Sequence, residues 1–569
     1  MIILGISCFY HDSSACILKN GKIVAAAAEE RFTRKKHDNN FPNHAINFCL
    51  AYLGIAANEV DIVAFYEKPF IKFERILSQH LEHFPRSHKV FINSLGTWLN
   101  QKLQIKKILR EEFNYHGKIV FIPHHLAHAA SSYYLSGFNN SAIVTLDGVG
   151  EWATTTMGFG QGSKIKIDKE VRFPHSLGLL YSTLTAYLGF KVNSDEYKVM
   201  GLAAYGTPKP FKSHFDKLIT TYADGSFAFN MNYFDYTWSD HMPGKEMEKL
   251  FGYPIRPTES KIKKYHKDIA ASLQAKLEEV VYKLLNVAYK KYKTSNLCLA
   301  GGVALNSVMN GKIIKNTPFK KIYVPPDPGD GGGAMGAAIY THYSYSSKKL
   351  NKKFSPYLGP QYLWYEVEPI LKKNKLKYTL FTNSQRMLNK IAEMIVHEKV
   401  IGWFHGRMEW GPRALGARSI LASAAKAEMK DIINAKVKKR EMFRPFAPVV
   451  LEEYASDYFK IDKQPPVLGK YMLIVIPFKD KGKKDVPATV HVDGSGRLQT
   501  IARRDNPLYY DLIKTYMKKT GIPIIINTSF NVRGEPIVCS PEEAVNCFLS
   551  TGIDVLVIDN FVVTKKIDD

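Results

Sequence analysis

Cysteine is scarce: six residues in 569, Cys8, Cys16, Cys49, Cys298, Cys539 and Cys547, with no two in a C-x-x-C pair. That excludes a disulfide framework and a structural zinc finger, and it fits a reducing cytosol. No apolar run approaches the ~18 residues of a membrane span. The N-terminus has no basic region, and His11 and Asp12 break its short apolar stretch, so no secretory leader is expected and the expected location is cytoplasmic. A Walker motif is also missing, since Gly158-Phe-Gly-Gln-Gly-Ser-Lys164 has the wrong order and spacing.

Acidic residues are in deficit, 53 against 78 Lys and Arg, which leaves a net charge of +25. Such an excess favours anionic partners without choosing among phosphates, nucleotides and nucleic acid. Runs such as Lys102-Leu-Gln-Ile-Lys-Lys107 read as solvated faces. What is present is ordinary for a globular protein, 45% hydrophobic residues with 38 Gly and 28 Pro. The length exceeds what one core sustains and predicts at least two domains.

The opening reads as a strand meander: Ile2 to Phe9, a polar turn, Ala15 to Leu18, an Asn20-Gly21 hairpin turn, and Lys22 to Ala28. The figure returns as Ala142 to Leu146, the turn Asp147-Gly-Val-Gly-Glu151, Trp152 to Phe159, and Lys164 to Val171. Duplicated meanders of this kind predict an actin-like α/β fold for residues 1–345. Three- and four-residue apolar spacing predicts a helix over Asp268 to Tyr292. A polar, basic stretch places a linker at 346–360. Residues 361–569 read as a second α/β domain, with a helix from Gln385 to Glu398 and strands at Val400 to Phe404, Tyr471 to Ile476 and Ile522 to Ile526.

In Pro123-His-His-Leu-Ala-His128, His124 and His128 stand four apart and share one helix face, able to chelate a metal or to pack as a buried pair. Asp147 and Asp330 are candidate carboxylates beside glycines. Two imidazoles and two oxygen donors suit iron, manganese or zinc. Gly301-Gly302 follows a strand and either admits a nucleotide to the main chain or makes a tight turn. In the second domain Arg407, Arg413, Arg418, Lys438, Arg440, Arg444, Arg497 and Arg533 lie among Gly, Pro and aromatics, which reads as an anion pocket, with structural arginine–carboxylate pairs as the alternative.

Taken in order, Tyr10-His-Asp-Ser-Ser-Ala, Glu29-Glu-Arg-Phe-Thr-Arg-Lys-Lys-His37, His124-His-Leu-Ala-His-Ala-Ala, Leu146-Asp-Gly, Lys198-Val-Met-Gly-Leu-Ala-Ala, Gly301-Gly-Val-Ala-Leu-Asn, Gly411-Pro-Arg-Ala-Leu-Gly, Arg444-Pro-Phe-Ala-Pro and Asn527-Thr-Ser-Phe-Asn resemble the O-carbamoyltransferases of antibiotic and nodulation-factor biosynthesis. The resemblance runs nearly end to end. It implies an actin-like first domain, similar to the tRNA threonylcarbamoyl transferase subunit, followed by a YrdC-like second domain. The implied substrates are carbamoyl phosphate, ATP with Mg and a small hydroxylated acceptor, with no membrane and no nucleic acid as partner.

By the same resemblance the second domain makes carbamoyl adenylate, with Lys438, Arg440, Ser529 and Asn531 matching the K-x-R and S-x-N groups of YrdC. Arg413, Arg444, Arg497 and Asn527 match positions holding carbamoyl phosphate and nucleotide, and Arg418 and Arg533 are placed with them. In the first domain His124, His128, Asp147 and Asp330 match ligands of an iron, Fe(II) with Mn or Zn as alternatives. Lys36, Gly178, Gly302 and Asn306 match nucleotide contacts, and His11 matches the base for the acceptor hydroxyl. The stretch 189–198 differs from the tobramycin enzyme and 211–263 has no counterpart that aligns with it, and acceptor choice is expected to reside in these segments. The rival readings are a tRNA threonylcarbamoylation-type enzyme and a silent nucleotide-binding scaffold.

Overall fold

The Asn20-Gly21 pair takes positive φ at both residues, 51° and 77°, the backbone a tight two-residue hairpin demands. It joins β2 (Ser14–Lys19) to β3 (Lys22–Ala28), and β1 (Ile2–Ser7) pairs antiparallel with β2. β4 (Ile62–Phe65) then runs parallel to β1, and β5 (Lys118–Phe121) parallel to β4. The sheet order is β3-β2-β1-β4-β5. The structure, a computed structural model, describes residues 1–346, 348–350, 354–441, 443–461 and 466–565.

The same figure recurs. β6 (Asn140–Leu146), β7 (Ala153–Gln161) and β8 (Lys164–Arg172) form an antiparallel meander, and a hairpin of β9 (Ile219–Thr221) and β10 (Phe227–Phe229) follows. β11 (Asn296–Ala300) runs parallel to β6, and β12 (Lys321–Tyr323) parallel to β11. Read from its meander edge, this sheet has the order β8-β7-β6-β11-β12, the topology of the first sheet repeated. The duplicated actin-like fold is therefore present in full. Two helices, His124–Ser136 and Asp330–Tyr345, pack together and against these sheets. Glycine makes the packing possible: a Cβ on Gly336 would lie 1.9 Å from the Ala127 carbonyl oxygen, and one on Gly5 2.0 Å from that of Ala334.

The helix expected from Asp268 begins earlier, at Lys264, and buries Ile269, Leu273, Leu277, Val280 and Val281 along one face.

The chain divides into two compact units, Met1–Glu29 with Asn39–Phe354, and Glu30–Asp38 with Ser355–Asp569. The nine-residue excursion differs from a plain division near residue 346. Its cause is local: Arg31 donates to the Gly411 carbonyl, Arg34 to the carbonyls of Pro536 and Ile537 and to Glu543, and Phe32 packs on Met408, Ala414, Ile537 and Cys539.

The second unit is built on an eight-stranded mixed sheet. Its strands are β13 (Lys377–Leu380), β14 (Ile401–Phe404), β15 (Arg418–Ser423), β16 (Ala447–Leu451), β19 (Gln499–Ile501), β20 (Ile524–Ser529), β21 (Val555–Ile558) and β22 (Phe561–Thr564), in the order β13-β22-β21-β14-β15-β20-β16-β19. β17 (Val475–Pro477) and β18 (Ser495–Arg497) form a separate pair. The strand expected over Tyr471 to Ile476 is reduced to β17, because Met472 takes φ 57° and breaks the extension. Trp403, Ile391, Tyr509, Ile513 and Val557 form the core between sheet and helices. Among the described residues no helix is long and apolar enough to cross a membrane.

Candidate active site

In the first unit two helix N-termini supply one cluster. Pro123 precedes His124, the first residue of its helix, and Asp330 is the first residue of the other. Asp147 directly follows β6, and the Gly302 amide donates to its Oδ1 at 2.8 Å. The close crossing at Gly336 brings His124, His128, Asp147 and Asp330 together, with one ligand atom of each within 4.8 Å of all the others, every residue buried.

A proton alone does not satisfy this group. His124 Nε2 lies 3.1 Å from Asp147 Oδ2 and 3.0 Å from His128 Nε2, and one hydrogen cannot serve both contacts. Asp330 Oδ1 stands 3.7 and 3.5 Å from the two imidazole nitrogens, and both its oxygens are buried without a hydrogen bond among the described residues. Burial opposes charge on His124, but Asp330 and Asp147 outweigh it and raise the imidazole to about 9. Burial likewise opposes charge on Asp147, yet His124 and His128 hold it well below the carboxylate range. Two imidazoles, two carboxylates and orphaned buried oxygens fit a divalent cation such as iron, manganese or zinc. His125 stands apart from the group: it hydrogen-bonds Thr145 Oγ1 and the Ala153 carbonyl, and burial and His124 push it down to about 3.

His11 sits in the β1–β2 turn, its Nδ1 2.9 Å from Asp12 Oδ2. Burial resists its protonation, while Asp330, Asp12 and Asp147 raise it to about 10. The turn is fixed by Ser14, whose hydroxyl donates to the Gly331 carbonyl beside Asp330. Gly178 backs onto Asp147: a Cβ there would lie 2.6 Å from the Asp147 carbonyl oxygen. Gly301, at φ 89°, passes close to Leu146 and makes the tight turn, so Gly302 is the glycine left beside the cluster. Asn306 caps the next helix and exchanges hydrogen bonds with Gln274. Lys36 belongs to the second unit, not to this group.

In the second unit β20 ends at Ser529, and the buried Lys438 ammonium donates to the Ser529 carbonyl at 2.5 Å, the Asn531 carbonyl at 2.9 Å and Asn531 Oδ1 at 2.8 Å. Burial, then Arg440, Arg444 and Lys36, hold its pKa well below the lysine value. Four cations thus crowd one place. Arg440 stacks 4.5 Å over Phe446 and reaches Asn434, while Arg444 and Arg533 both approach Glu441 at 3.5 Å. Asn527 donates to the Ala414 carbonyl and to Gln499, and its Oδ1 is buried without a hydrogen bond among the described residues. Arg413 lies in the loop between Gly411 and Gly416, at φ 100° and 106°, and Arg497 ends β18.

Arg418 leaves the expected anion pocket. It is fully buried, its fork donates to the carbonyls of Gly406, Ala417 and Pro360, and it lies 3.6 Å over the Phe404 ring. It is a structural cation. The sequence reading gave no role to Asp12 or Glu151, and it offered Glu409 only as a partner for arginines. Glu151 accepts from the amides of His124 and Lys68, and Glu409 from those of Leu415, Ala417 and Arg418. A carboxylate flanking His11 was visible in His-Asp; Glu151 and Glu409 act on backbone amides, which no local pattern records.

Residues 2–339 match the family model described as "Carbamoyltransferase N-terminus", and residues 392–565 the one described as "Carbamoyltransferase C-terminus". An uncharacterized protein of Synechocystis, sll1178, is 44% identical over 99% of this chain and 96% of its own length. The nodulation protein NolNO of Sinorhizobium fredii is 36% identical over 98% of this chain and 79% of its own length. Among solved structures, the Acidaminococcus fermentans (R)-2-hydroxyglutaryl-CoA dehydratase component A is 14% identical, covering 60% of this chain and 99% of its own, at a TM-score of 0.32. With both halves matched and the topology and clusters above in place, the chain belongs to the carbamoyltransferase family and is a transferase enzyme.

Proposed function

We propose that this carbamoyltransferase works in two ATP-dependent half-reactions, one in each unit. In the second, water splits carbamoyl phosphate into carbamate and inorganic phosphate; a carbamate oxygen then attacks the α-phosphorus of Mg-bound ATP, and pyrophosphate leaves. The product is carbamoyl adenylate. The observation that carries the reading is the crowding of Lys438, Arg440, Arg444 and Lys36, whose mutual repulsion is relieved when polyphosphate oxygens enter. Asn527 Oδ1, buried and open to a donor, suits the carbamoyl NH2.

In the first unit the acceptor hydroxyl attacks the carbamoyl carbon, the bond from that carbon to the phosphoryl oxygen breaks, and AMP leaves. His11 takes the hydroxyl proton at Nε2 when its Nδ1–H donates to Asp12. His124, His128, Asp147 and Asp330 would hold the metal, Fe(II) or else Mn(II) or Zn(II), which supplies positive charge for the carbamoyl oxygen. Asp330 and Asp147 are two of the carboxylates that raise His11, so a metal held by them would lower that imidazole again, toward the range where a base works near neutral pH. The acceptor is a small hydroxylated molecule, a sugar or natural product. Six buried free cysteines suit a reducing, cytoplasmic setting.

Incubating the purified protein with ATP and carbamoyl phosphate, without acceptor, tests the first half. Pyrophosphate and a carbamoyl adenylate mass are expected. Their absence with Mg, Fe(II) and candidate acceptors all supplied overturns the two-step scheme.

A further inference from the structure

The helix Pro69–His83 carries a cation that the two-step chemistry does not use. Arg75 is only 5% exposed, yet its guanidinium makes no hydrogen bond or ion pair among the described residues, and its Nε is sealed from solvent. It lies 4.9 Å over the ring of Phe173, and Tyr10, Glu67 and Glu151 act on it only through space. Burying a guanidinium without a partner is strongly unfavourable, and proteins keep such a group where a ligand completes it.

The surroundings select the sign of that ligand. Lys72 is already paired with Glu67 at 2.5 Å, and Glu151 is occupied by the amides of Lys68 and His124. Lys102 lies 4.6 Å over Trp98 with no hydrogen-bond acceptor among the described residues, and burial together with Lys72 lowers it to about 8. Tyr10, whose hydroxyl makes no hydrogen bond among the described residues, lies beneath Lys72 at 4.9 Å, and its ring is 4.8 Å from that of His11. Three cations therefore share two carboxylates that are already engaged.

The position ties the group to the acceptor side. Glu151 pins the start of this helix to the first residue of the metal-ligand helix, His124. Farther along, Gln79 donates to the Thr237 carbonyl, and Tyr236 packs 6.1 Å from Phe173 while donating to the Pro174 carbonyl. Tyr236 and Thr237 lie between β10 and the helix Lys264–Tyr292.

Resting on the carbamoyl-transfer reading above, we propose that Arg75, supported by Lys102 and Tyr10, anchors an anionic group on the acceptor, so that this chain carbamoylates a hydroxyl compound bearing a carboxylate or phosphate. The adenylate's phosphoryl group is the other possible source of an oxyanion, and the test separates the two.

Calorimetric titrations of the full chain would compare D-glucuronate and D-glucose 6-phosphate with D-glucose, and AMP separately, for the wild type, Arg75→Gln and Arg75→Lys. The charged sugars are expected to bind the wild type at least about tenfold more tightly than glucose, a preference that Arg75→Gln abolishes and Arg75→Lys partly restores, with AMP unaffected. Equal binding of charged and neutral sugars by the wild type, or a preference surviving Arg75→Gln, overturns the proposal. So does a fall in AMP affinity without loss of sugar discrimination, which would assign the anion to the nucleotide. Thermal unfolding of each variant controls for folding. Pyrophosphate release by the wild type is read in parallel; its absence strikes the two-step scheme while leaving the anion titrations to decide on Arg75.

Discussion

The Nε2 atoms of His124 and His128 face each other across 3.0 Å, a distance at which they share either one proton or one cation. With Asp147 and Asp330 at the same point, a cation would engage all four side chains, and a shared cation and a shared proton respond differently to mutation.

His124→Ala is expected to lose the bound metal and carbamoyl transfer while still forming adenylate. Elemental analysis of the purified variant decides it: a full metal complement would contradict the ligand assignment.

Lys438→Ala is expected to lower pyrophosphate release by at least about a hundredfold, since it removes a charge-assisted contact and the brace of Ser529 and Asn531. The far-UV spectrum should stay native. Unchanged release would remove Lys438 from the adenylating site.

Arg418→Met is expected to act on stability instead. It leaves the buried carbonyls of Gly406, Ala417 and Pro360 without their donor, at roughly 3 kcal/mol or more, which in a unit of this size lowers the midpoint by roughly 6 to 12 °C. Carbamoyl phosphate KM measured below the transition should be unchanged; a selective rise in KM would return Arg418 to the anion pocket.

His405 gives the second unit an acid limit. Burial and Arg418 hold its imidazole at about 4, below the ~6.5 of an unfolded chain. The unfolded state therefore binds a proton that the folded state refuses. This contribution to stability is whole above pH ~6.5 and is lost as pH falls toward 4, by up to about 3 kcal/mol. Denaturant titrations across that window should show a smaller loss for His405→Gln, and identical slopes would discount the residue.

The meanders were legible because each announces itself locally, through Asn20-Gly21 or through the strand-ending Asp147-Gly. The histidine pair was legible because four residues is a helix repeat. Arg418 and Arg413 look alike in Gly-Pro-Arg-Ala-Leu-Gly-Ala-Arg; what separates them is whether carbonyls from residues 360 and 406 turn inward, which no local pattern records. Arg75 was silent for the same reason, since an amphipathic helix reads alike whether its arginine meets water or a closed wall.

The nine residues Glu30–Asp38 that pack with the second unit have a practical meaning for anyone who tries to express that unit alone. A fragment beginning at Ser355 would omit Phe32 and bare Met408, Ala414, Ile537 and Cys539, and it would leave the carbonyls of Gly411, Pro536 and Ile537 without their arginines. It would also lack Lys36, one of the four crowded cations. Such a fragment should be insoluble or weak in nucleotide binding until a peptide spanning residues 30–38 is added back, so this protein is cut into working pieces by three breaks in the chain and not by one.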